Sequence, residues 1–309
     1  MRIAILVHGP DFACSENLTK AFALWGETQL VSIHPSDWRD YDPGLLIDSA
    51  EALDEARAFV ESADLIFLGD ATAFYTLSKV SPDRKWMRWA DRKNVTVFFG
   101  DSAYFKHSAF FDGLCMAIGN HRPFFLPNLM PLTALKGIPL HHPMPLMPSE
   151  KAEMLTVMHA PGRDGKAAQK GTAAIEEVIG ELHEEGLEFD YQRLMHLTLE
   201  ECLKIKATAH IVVDQLPPPG LPFGLGRTGL EAIAAGSAVV TKMYEAALVD
   251  GFFDFPPVLP IQNQAELISV LRRLLTDGEQ LALVQQQSSQ WAAQNVELGP
   301  WLEYVGKWL

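Results

Sequence analysis

Apolar and polar positions alternate in blocks along the first half of the chain. A continuous apolar run such as "RIAILV" at 2–7 is typical of a strand buried on both faces of a parallel sheet. The segment "SAEALDEARAFVESA" at 49–63 has the apolar spacing of an amphipathic helix. The predicted strands are 2–9, 28–34, 64–70 and 95–101, and the predicted helices are 16–26 and 49–63. This alternation predicts an open parallel sheet with helices on both faces.

The alternation begins again in the second half. Its predicted strands are 153–160, 188–196, 209–215 and 237–242, and its predicted helices are 172–185, 230–236, 265–278, 279–295 and one opened by "TLEE" at 198–201. Between the halves, residues 123–148 contain seven prolines, a density that excludes a regular helix and predicts a connection between domains. The predicted fold class is therefore α/β, with two doubly wound, Rossmann-like parallel-sheet domains.

Composition and charge narrow the classes of protein. The 309 residues are 48% apolar and carry a net charge of −14, which argues against a nucleic-acid binder or a protein drawn to anionic lipids. Three dispersed cysteines without a CxxC pair, no signal peptide and no run of about 18 apolar residues predict a cytoplasmic protein without a transmembrane segment. Any anion that this chain binds must be gathered by a local cluster of cations.

Neither half carries the glycine pattern of a dinucleotide-binding enzyme. That pattern, G-x-G-x-x-G after the first strand, lets the backbone approach a pyrophosphate. Here the first strands of the two halves run into "HGPDFACSEN" and "HAPGRDGKAAQKG". A nicotinamide-dependent dehydrogenase is therefore not expected.

The densest group of cations lies at 159–171, between a predicted strand and a predicted helix. Gly162 and Gly171 allow close backbone approach, and the helix begins near Thr172, where unpaired N–H groups and the positive dipole end favour phosphate. Arg163 can bind phosphate oxygens with two N–H groups, and Lys170 adds a point charge. The alternative is a solvated loop whose cations pair with the acidic surface.

The segment 214–240 also follows an apolar strand and opens a helix, so it should face the same edge of the sheet. Gly226 and Gly229 belong to a loop that a ligand can approach. Glu231 has two interpretations. Thr228 and Glu231 have the spacing of a capping box, in which Glu231 turns back to an N-terminal amide. Alternatively, the Glu231 carboxylate accepts two hydroxyls of a ribose.

These motifs resemble a known family. The segments "HAPGRDGKAAQKGT", "AHIVVDQL" and "GRTGLEAIAAGSAVV" are similar, over residues 155–290, to the C-terminal half of family-four-type (group 1) retaining glycosyltransferases of the GT-B fold. The resemblance implies that Arg163 and Lys170 bind the diphosphate of a nucleotide-sugar and that Glu231 binds its ribose. Over residues 1–150 the similarity is confined to the order of the strands.

The resemblance also implies domains and further site residues. The expected domains are 1–148 for the acceptor, 149–290 for the nucleotide-sugar, and 291–309 as a tail packing back on the first domain. The donor would contact 159–171, 193–197 and 214–231, and the named candidates are Gly162, Gly171, Thr172, His196, Gly226, Arg227, Thr228, Gly229 and Glu231. His8 and Asp101 are candidates on the acceptor side, and His107 joins Arg163 and Lys170 as a catalytic candidate.

The implied activity is metal-independent hexosyl transfer with retention, from a UDP-, GDP- or similar sugar to an unknown acceptor hydroxyl. No other cofactor is expected, and the pair His141–His142 has no partner at metal-ligand spacing. One departure stands out, because Phe223 occupies the place of a second family glutamate, eight residues before Glu231. Two alternatives therefore stay open: a non-catalytic GT-B-like partner subunit and a nucleotide-sugar epimerase.

Overall fold

The structure is a computed structural model that describes most of the chain in two compact units. The described residues are 1–8, 14–35, 42, 44–68, 73–80, 94–99, 115–119, 138–140, 143–147, 150–162, 164–219, 225–243 and 256–307. One unit comprises Met1–Pro143 with Leu298–Leu309, and the other comprises Met144–Glu297. No helix in these ranges combines the length and the hydropathy that crossing a bilayer requires.

The first unit contains a parallel sheet with seven strands among the described residues. They are β1 (Arg2–Leu6), β2 (Glu27–Ser32), β3 (Leu45–Leu46), β4 (Leu65–Leu68), β5 (Asn94–Phe99), β6 (Cys115–Gly119) and β7 (Ile138–Leu140). Their order is β3-β2-β1-β4-β5-β6-β7, so that β1 pairs in parallel with both β2 and β4. The chain starts in the middle and winds outward in both directions, as a doubly wound sheet does.

Helices cover the sheet of the first unit on both faces. They include α1 (Cys14–Ala23), α2 (Ala50–Ser62) and α3 (Ala73–Val80). The hydroxyl of Ser49 caps α2 by accepting the amide of Ala52 at 3.1 Å. Val60 of α2 and Leu77 of α3 belong to the core on one face of the sheet. On the other face, Phe22 of α1 packs 5.0 Å from the ring of Phe67, centroid to centroid.

The second unit contains a parallel sheet with five strands among the described residues. They are β8 (Thr156–Gly162), β9 (Asp190–Met195), β10 (Ile211–Gln215), β11 (Ala238–Lys242) and β12 (Val258–Ile261). Their order is β12-β11-β10-β8-β9. The chain thus leaves β8 for β9 on one side and returns to β10 on the other, which makes the gap between β8 and β10 the topological switch point.

Six helices of the described residues surround this sheet. They are α4 (Asp164–Lys170), α5 (Thr172–Glu184), α6 (Leu199–Thr208), α7 (Arg227–Ala234), α8 (Gln264–Thr276) and α9 (Gly278–Asn295). One face packs against α5, α8 and the start of α9, and the other against α6, α7 and the end of α9. The predicted helix start at "TLEE" is confirmed, because Thr198 and Glu201 form a capping box at the start of α6.

The last helix of the chain, α10 (Leu298–Gly306), belongs to the first unit. Trp301 is 1% exposed, and its ring meets that of Phe22 edge to face with 5.7 Å between centroids. Residues 291–297 lie in the second unit, where Trp291 and Val296 are buried in its core. The division therefore falls between Glu297 and Leu298, seven residues later than the boundary expected from the sequence.

One local prediction was incomplete and another was wrong. The proline-rich segment 123–148 was predicted to mark a connection between domains, and the two units divide within it, between Pro143 and Met144, but it also contains β7, which pairs with β6 at the edge of the first sheet. Pro139 fits there because an edge strand has one side without ladder partners, so a missing N–H is tolerated. Residues 159–171 were predicted to form one loop, whereas β8 extends to Gly162 and α4 spans 164–170. Among the described residues of this segment, only Gly171 separates α4 from α5.

Candidate functional site

The candidate site lies in the second unit, at the carboxyl ends of β8 and β10. The segments that leave these two strands turn to opposite sides of the sheet, which creates a crevice where ligands bind in folds of this type. After β8 the chain enters α4 and α5, and after β10 it leads to α7. The starts of α5 and α7 therefore both belong to this edge of the sheet.

Lys170, the last residue of α4, points its amine into this crevice. Its Nζ donates to the Ala160 carbonyl at 3.2 Å and to the Thr228 hydroxyl at 3.2 Å, and lies 3.3 Å from Oδ1 of Asp214. The lysine side chain is 19% exposed, and that of Asp214 is fully buried. The lysine thus links the end of β8 with β10 and with the first turn of α7 through hydrogen bonds. A small part of its surface stays accessible to solvent.

Asp214 connects three segments through one carboxylate. Its Oδ1 meets Lys170, while its Oδ2 accepts the amide of Gly226 at 2.5 Å, directly before α7 begins. A Cβ at Gly226 would lie 2.9 Å from both carboxylate oxygens, and one at Gly229 would lie 2.3 Å from a methyl carbon of Leu225. The two glycines therefore make room for side chains of the protein itself, where the sequence predicted a ligand.

The start of α5 is held by a buried histidine. His159 on β8 bonds through Nδ1 to the Val213 carbonyl at 2.8 Å and through Nε2 to the Thr172 hydroxyl at 2.9 Å. Because a carbonyl only accepts, Nδ1 carries the proton and Nε2 accepts from Thr172. Burial, with the nearby charge of Lys170 as a smaller cause, lowers the pKa of His159 to about 3, so the ring is neutral. The Thr172 hydroxyl thereby donates its proton to His159. Of the donors of Thr172, only the backbone amide is then left for a ligand at the start of the helix.

Gly171 sets how closely α5 approaches β10. It caps α5 in the left-handed conformation, with φ of 72°, and a Cβ there would lie 1.8 Å from the Leu216 carbonyl oxygen. The amide of Leu216 in turn donates to the carbonyl of Lys170 at 2.8 Å. Any other residue would push the two segments apart, so this glycine is required by packing.

Glu231 lies one turn inside α7 and does not cap it. Gly226 is the N-cap of α7 and makes no side-chain cap bond, so the capping-box interpretation of Thr228 and Glu231 was wrong. Instead, Oε1 of Glu231 accepts from Nε of Arg227 at 2.6 Å, and Oε2 accepts from Nζ of Lys206 on α6. The side chains of Lys206 and Glu231 are only 2% and 6% exposed, so this is a buried ion pair with a second cation at its edge.

The electrostatic interactions among Lys206, Glu231 and Arg227 keep all three side chains charged. Burial alone would raise the pKa of Glu231, but the charges of Lys206 and Arg227 and their hydrogen bonds hold it at about 2. Burial alone would also lower the pKa of Lys206, but the charge of Glu231 raises it above the ordinary value. One carboxylate between two cations leaves the triad with a net positive charge.

Gly162 and His196 lie together where β8 and β9 end. The amide of His196 donates to the Gly162 carbonyl at 3.1 Å, and both residues have positive φ, 57° for His196 and 87° for Gly162. His196 is the one residue other than glycine with positive φ among the described residues. Such a conformation is uncommon for residues other than glycine, is more frequent for histidine than for most of them, and often marks functional sites.

Of the remaining predicted residues, only His8 is described by the structure, and it lies in the first unit. His8 follows β1 in the first unit, where its carbonyl accepts the amides of Ile33 and His34 and its ring meets that of His34 at 4.6 Å. Six candidates or notable positions lie outside the described residues: Arg163, Asp101, His107, Phe223, His141 and His142. Among the residues that are described, no group of three His, Cys, Asp or Glu side chains is placed to hold a metal ion.

Two residues of the site were not singled out in the sequence, Asp214 and Lys206. A signal existed for each. Asp214 is a lone charge at the end of the apolar strand "AHIVVDQ", where a parallel strand meets its ligand-binding edge. Lys206 lies four residues after Cys202, on the apolar face of α6, and a charge on such a face requires a partner.

Comparisons with known proteins identify the fold. Neither a protein-family model nor a curated protein sequence matches this chain. Among solved structures, HepE of Anabaena in complex with UDP and glucose is similar with a TM-score of 0.66 and 11% identity, over 99% of this chain and 98% of that chain. Sucrose-phosphate synthase from Thermosynechococcus elongatus is similar with a TM-score of 0.60 and 12% identity, over 99% and 97% of the two chains. The chain therefore has the GT-B fold of glycosyltransferases.

Proposed function

We propose that this protein is a glycosyltransferase that moves a sugar from a nucleoside diphosphate sugar to an acceptor hydroxyl. The donor diphosphate would bind at the carboxyl ends of β8 and β10. Two kinds of observation support this proposal. The fold is that of HepE, whose structure contains UDP and glucose, and of sucrose-phosphate synthase. The described residues at the switch point also combine a lysine amine with the starts of two helices.

The observation that carries the proposal is the position of the Lys170 amine between those helix starts. The first amide that bonds within α5 is that of Ile175, and within α7 it is that of Leu230. The amides before them in each helix have no carbonyl of their own helix to bind, and their dipoles point a positive end at the crevice. A diphosphate there would meet a cation and N–H groups from both sides.

Lys170 can engage a diphosphate by exchanging one of its three partners for a phosphate oxygen, because an ammonium has three N–H donors. The Thr228 hydroxyl, which accepts from Lys170, donates its own proton to the Ala160 carbonyl over 3.5 Å and could turn it to a phosphate oxygen. An incoming oxygen can share the ammonium with Asp214 and the Ala160 carbonyl, which fix the direction of the lysine. We propose that Arg163 adds a second cation to the diphosphate, as the family resemblance implies.

Glu231 is proposed to bind the ribose. An ionised carboxylate has about four lone-pair positions, and Arg227 and Lys206 each occupy one, on different oxygens. One position on each oxygen is left for the two neighbouring hydroxyls of a ribose. This arrangement differs from an exposed carboxylate because the direction of both oxygens is set before the ligand arrives.

The chemistry follows from the charge that develops as the sugar departs. The diphosphate leaving group gains negative charge in the transition state, so the cation and the helix amides stabilise it more strongly than the bound donor. The family resemblance supports retention of configuration and no metal requirement. It also supports an acceptor site in the first unit, with His8, Asp101 and His107 as candidate residues.

The proposal is tested by binding and turnover on one preparation. UDP and GDP are titrated calorimetrically, and release of the nucleoside diphosphate from UDP-glucose and from other UDP- and GDP-sugars is followed with and without candidate acceptor alcohols. We expect micromolar binding of one diphosphate and slow release from its sugar conjugate. Absence of binding to any nucleoside diphosphate would contradict the proposal. Tight binding without release from any donor would identify a non-catalytic GT-B-like protein instead, and a rearranged sugar in place of a transferred one would identify an epimerase.

A further inference from the structure

The proposed function gives the buried Lys206 no role of its own. Its side chain is 2% exposed and lies on α6, which contributes no group to the carboxyl edge of the sheet described above. A lysine buried to this extent costs free energy unless a partner neutralises it, and its partner is the carboxylate of Glu231. A structural ion pair alone would need only these two residues, yet the same carboxylate also binds Arg227.

The two cations of Glu231 differ in exposure. The side chain of Lys206 is 2% exposed, whereas that of Arg227 is 16% exposed and belongs to the first turn of α7, beside Thr228 and the Lys170 amine. Arg227 is therefore within the part of the site that a diphosphate would reach, and an anion there would compete with Glu231 for its guanidinium. Lys206 is out of reach of solvent and keeps its contact with Glu231 in either case.

We propose that Lys206 is a positioning residue that holds Glu231 ionised and in one orientation for ribose recognition, whether or not Arg227 turns to the diphosphate. This inference rests on the proposed function, because it concerns the ribose of the same donor. Without Lys206, binding of a diphosphate by Arg227 would leave Glu231 as a buried carboxylate with no cation. It would then be protonated or turn away, and either change removes an acceptor that the ribose hydroxyls need.

The test compares UDP with 2′-deoxy-UDP, which lacks one hydroxyl of the ribose but carries the same diphosphate. Calorimetric titration of the full chain gives the ratio of the two dissociation constants for the wild type, Lys206→Met and Lys204→Met. Lys204 is the matched control, because it lies on the same helix but is 72% exposed and pairs with Glu200 at the surface. Melting curves establish that each variant is folded.

The wild type and Lys204→Met should prefer UDP by about 10-fold or more, since a hydrogen bond to a charged group contributes about 1.5–3 kcal/mol. In Lys206→Met the preference should fall below about threefold, because the acceptor is no longer held toward the hydroxyl. If Lys206→Met does not fold, Lys206→Gln serves for the same comparison, since it keeps an N–H donor for Glu231 without the charge.

The possible outcomes separate this inference from the proposed function. An undiminished preference for UDP in a folded Lys206 variant would overturn the positioning role and leave the glycosyltransferase proposal standing. Equal binding of both nucleotides by the wild type would also overturn it, because Glu231 would then not bind the 2′-hydroxyl. No binding of UDP by the wild type, together with no binding of other nucleoside diphosphates, would remove the proposed function and this inference with it.

Discussion

Two lysines lie at opposite ends of the strands of the second sheet, Lys151 at the amino ends and Lys170 at the carboxyl ends. Each donates to three acceptors, but the acceptors differ. At the amino edge, Nζ of Lys151 donates to the carbonyls of Ala209 and Ala235 and to the hydroxyl of Ser237, at 2.7, 3.1 and 3.0 Å. Ala209 and Ala235 are the C-caps of α6 and α7, so this cation lies where helix dipoles are negative. Every partner of Lys151 among the described residues is neutral.

Lys170 lies at the carboxyl ends of the strands, beside the positive dipole ends of α5 and α7, and is itself the last residue of α4. It is placed beside the starts of α5 and α7, which repel a cation, and it has the buried carboxylate of Asp214 as a counter-ion. Local stability explains Lys151, because the carboxyl ends of α6 and α7 supply carbonyl acceptors and a negative dipole for its charged amine. Local stability explains Lys170 only in part, through the buried carboxylate of Asp214 and the carboxyl end of α4. An anionic ligand would also be attracted by the amine and by the starts of α5 and α7, and this difference from Lys151 supports a diphosphate site.

The largest expected effect concerns Lys206, which is the more deeply buried of the two cations that bind Glu231. Lys206→Met should lower the free energy of unfolding by about 3 kcal/mol, because it leaves the buried carboxylate of Glu231 with Arg227 alone. The double variant Lys206→Met/Glu231→Gln should recover part of that loss, since no uncompensated charge is left. Urea titrations of the two single variants and the double variant measure the coupling. Additive effects would show that the pair does not interact, contrary to the structure.

Acid should destabilise the fold through His159. Its pKa in the folded protein, lowered by burial to about 3, is below the unfolded value, so the unfolded state takes up a proton first as the pH falls. The stabilisation from neutral His159 is therefore fully present above about pH 6.5. At pH 5 the free energy of unfolding should be lower by about 2 kcal/mol. Glu231, with a pKa of about 2, adds a further loss only below about pH 4.5.

His159→Asn keeps a donor for the Val213 carbonyl but has no ring to protonate. The variant should be less stable than the wild type at pH 7.5. Its free energy of unfolding should change little between pH 6.5 and 5, apart from the contribution of other histidines. Thermal or urea unfolding across this range measures both slopes. Equal slopes in the two proteins would mean that His159 is protonated in the folded state, and the hydrogen bond from Thr172 would then be assigned the wrong way.

A smaller effect should follow from removing the lysine at the amino edge. Lys151→Met takes three hydrogen bonds from the ends of α6 and α7, and we expect a loss of about 1–2 kcal/mol in the free energy of unfolding. Affinity for nucleoside diphosphates should not change, because this edge is opposite to the candidate site. A variant that is equally stable but binds UDP less tightly would break the comparison between the two lysines.

The order of the elements could be predicted from the sequence, because apolar runs and helical spacing report burial directly. The strands predicted at 2–9, 64–70 and 209–215 are found at Arg2–Leu6, Leu65–Leu68 and Ile211–Gln215, with no end displaced by more than three residues. Several elements were missed: β3 has two residues and β7 lies among prolines. The strands β6 and β12 and the helices α3 and α10 were not predicted either. Helix α4 was missed because glycine and lysines in a polar segment carry no apolar periodicity.

The site was predicted only in part, for a physical reason. Lys170 and Glu231 follow from their places after buried strands, where charged residues collect at one edge of the sheet. Their partners do not, because Asp214 is 44 residues from Lys170 and Lys206 is 25 from Glu231. Such pairs come together only when the strands have assembled in the order of the folded sheet. Gly226 was assigned to a ligand for the same reason, since the Asp214 carboxylate that occupies its space comes from β10, and the space at Gly229 is taken by Leu225.

The central claim, that Lys170 binds a diphosphate, is tested most directly by titrating UDP and uridine into Lys170→Met, Lys166→Met and the wild type. Lys166 is the matched control, since it lies on the same helix, is exposed and bonds only with Gln169 among the described residues. Lys170→Met should bind UDP at least about 10-fold more weakly than the wild type, because a charge-assisted hydrogen bond is lost. Uridine, which has no phosphate, should bind all three proteins alike, and Lys166→Met should match the wild type throughout. Wild-type affinity for UDP in a folded Lys170→Met would contradict the account.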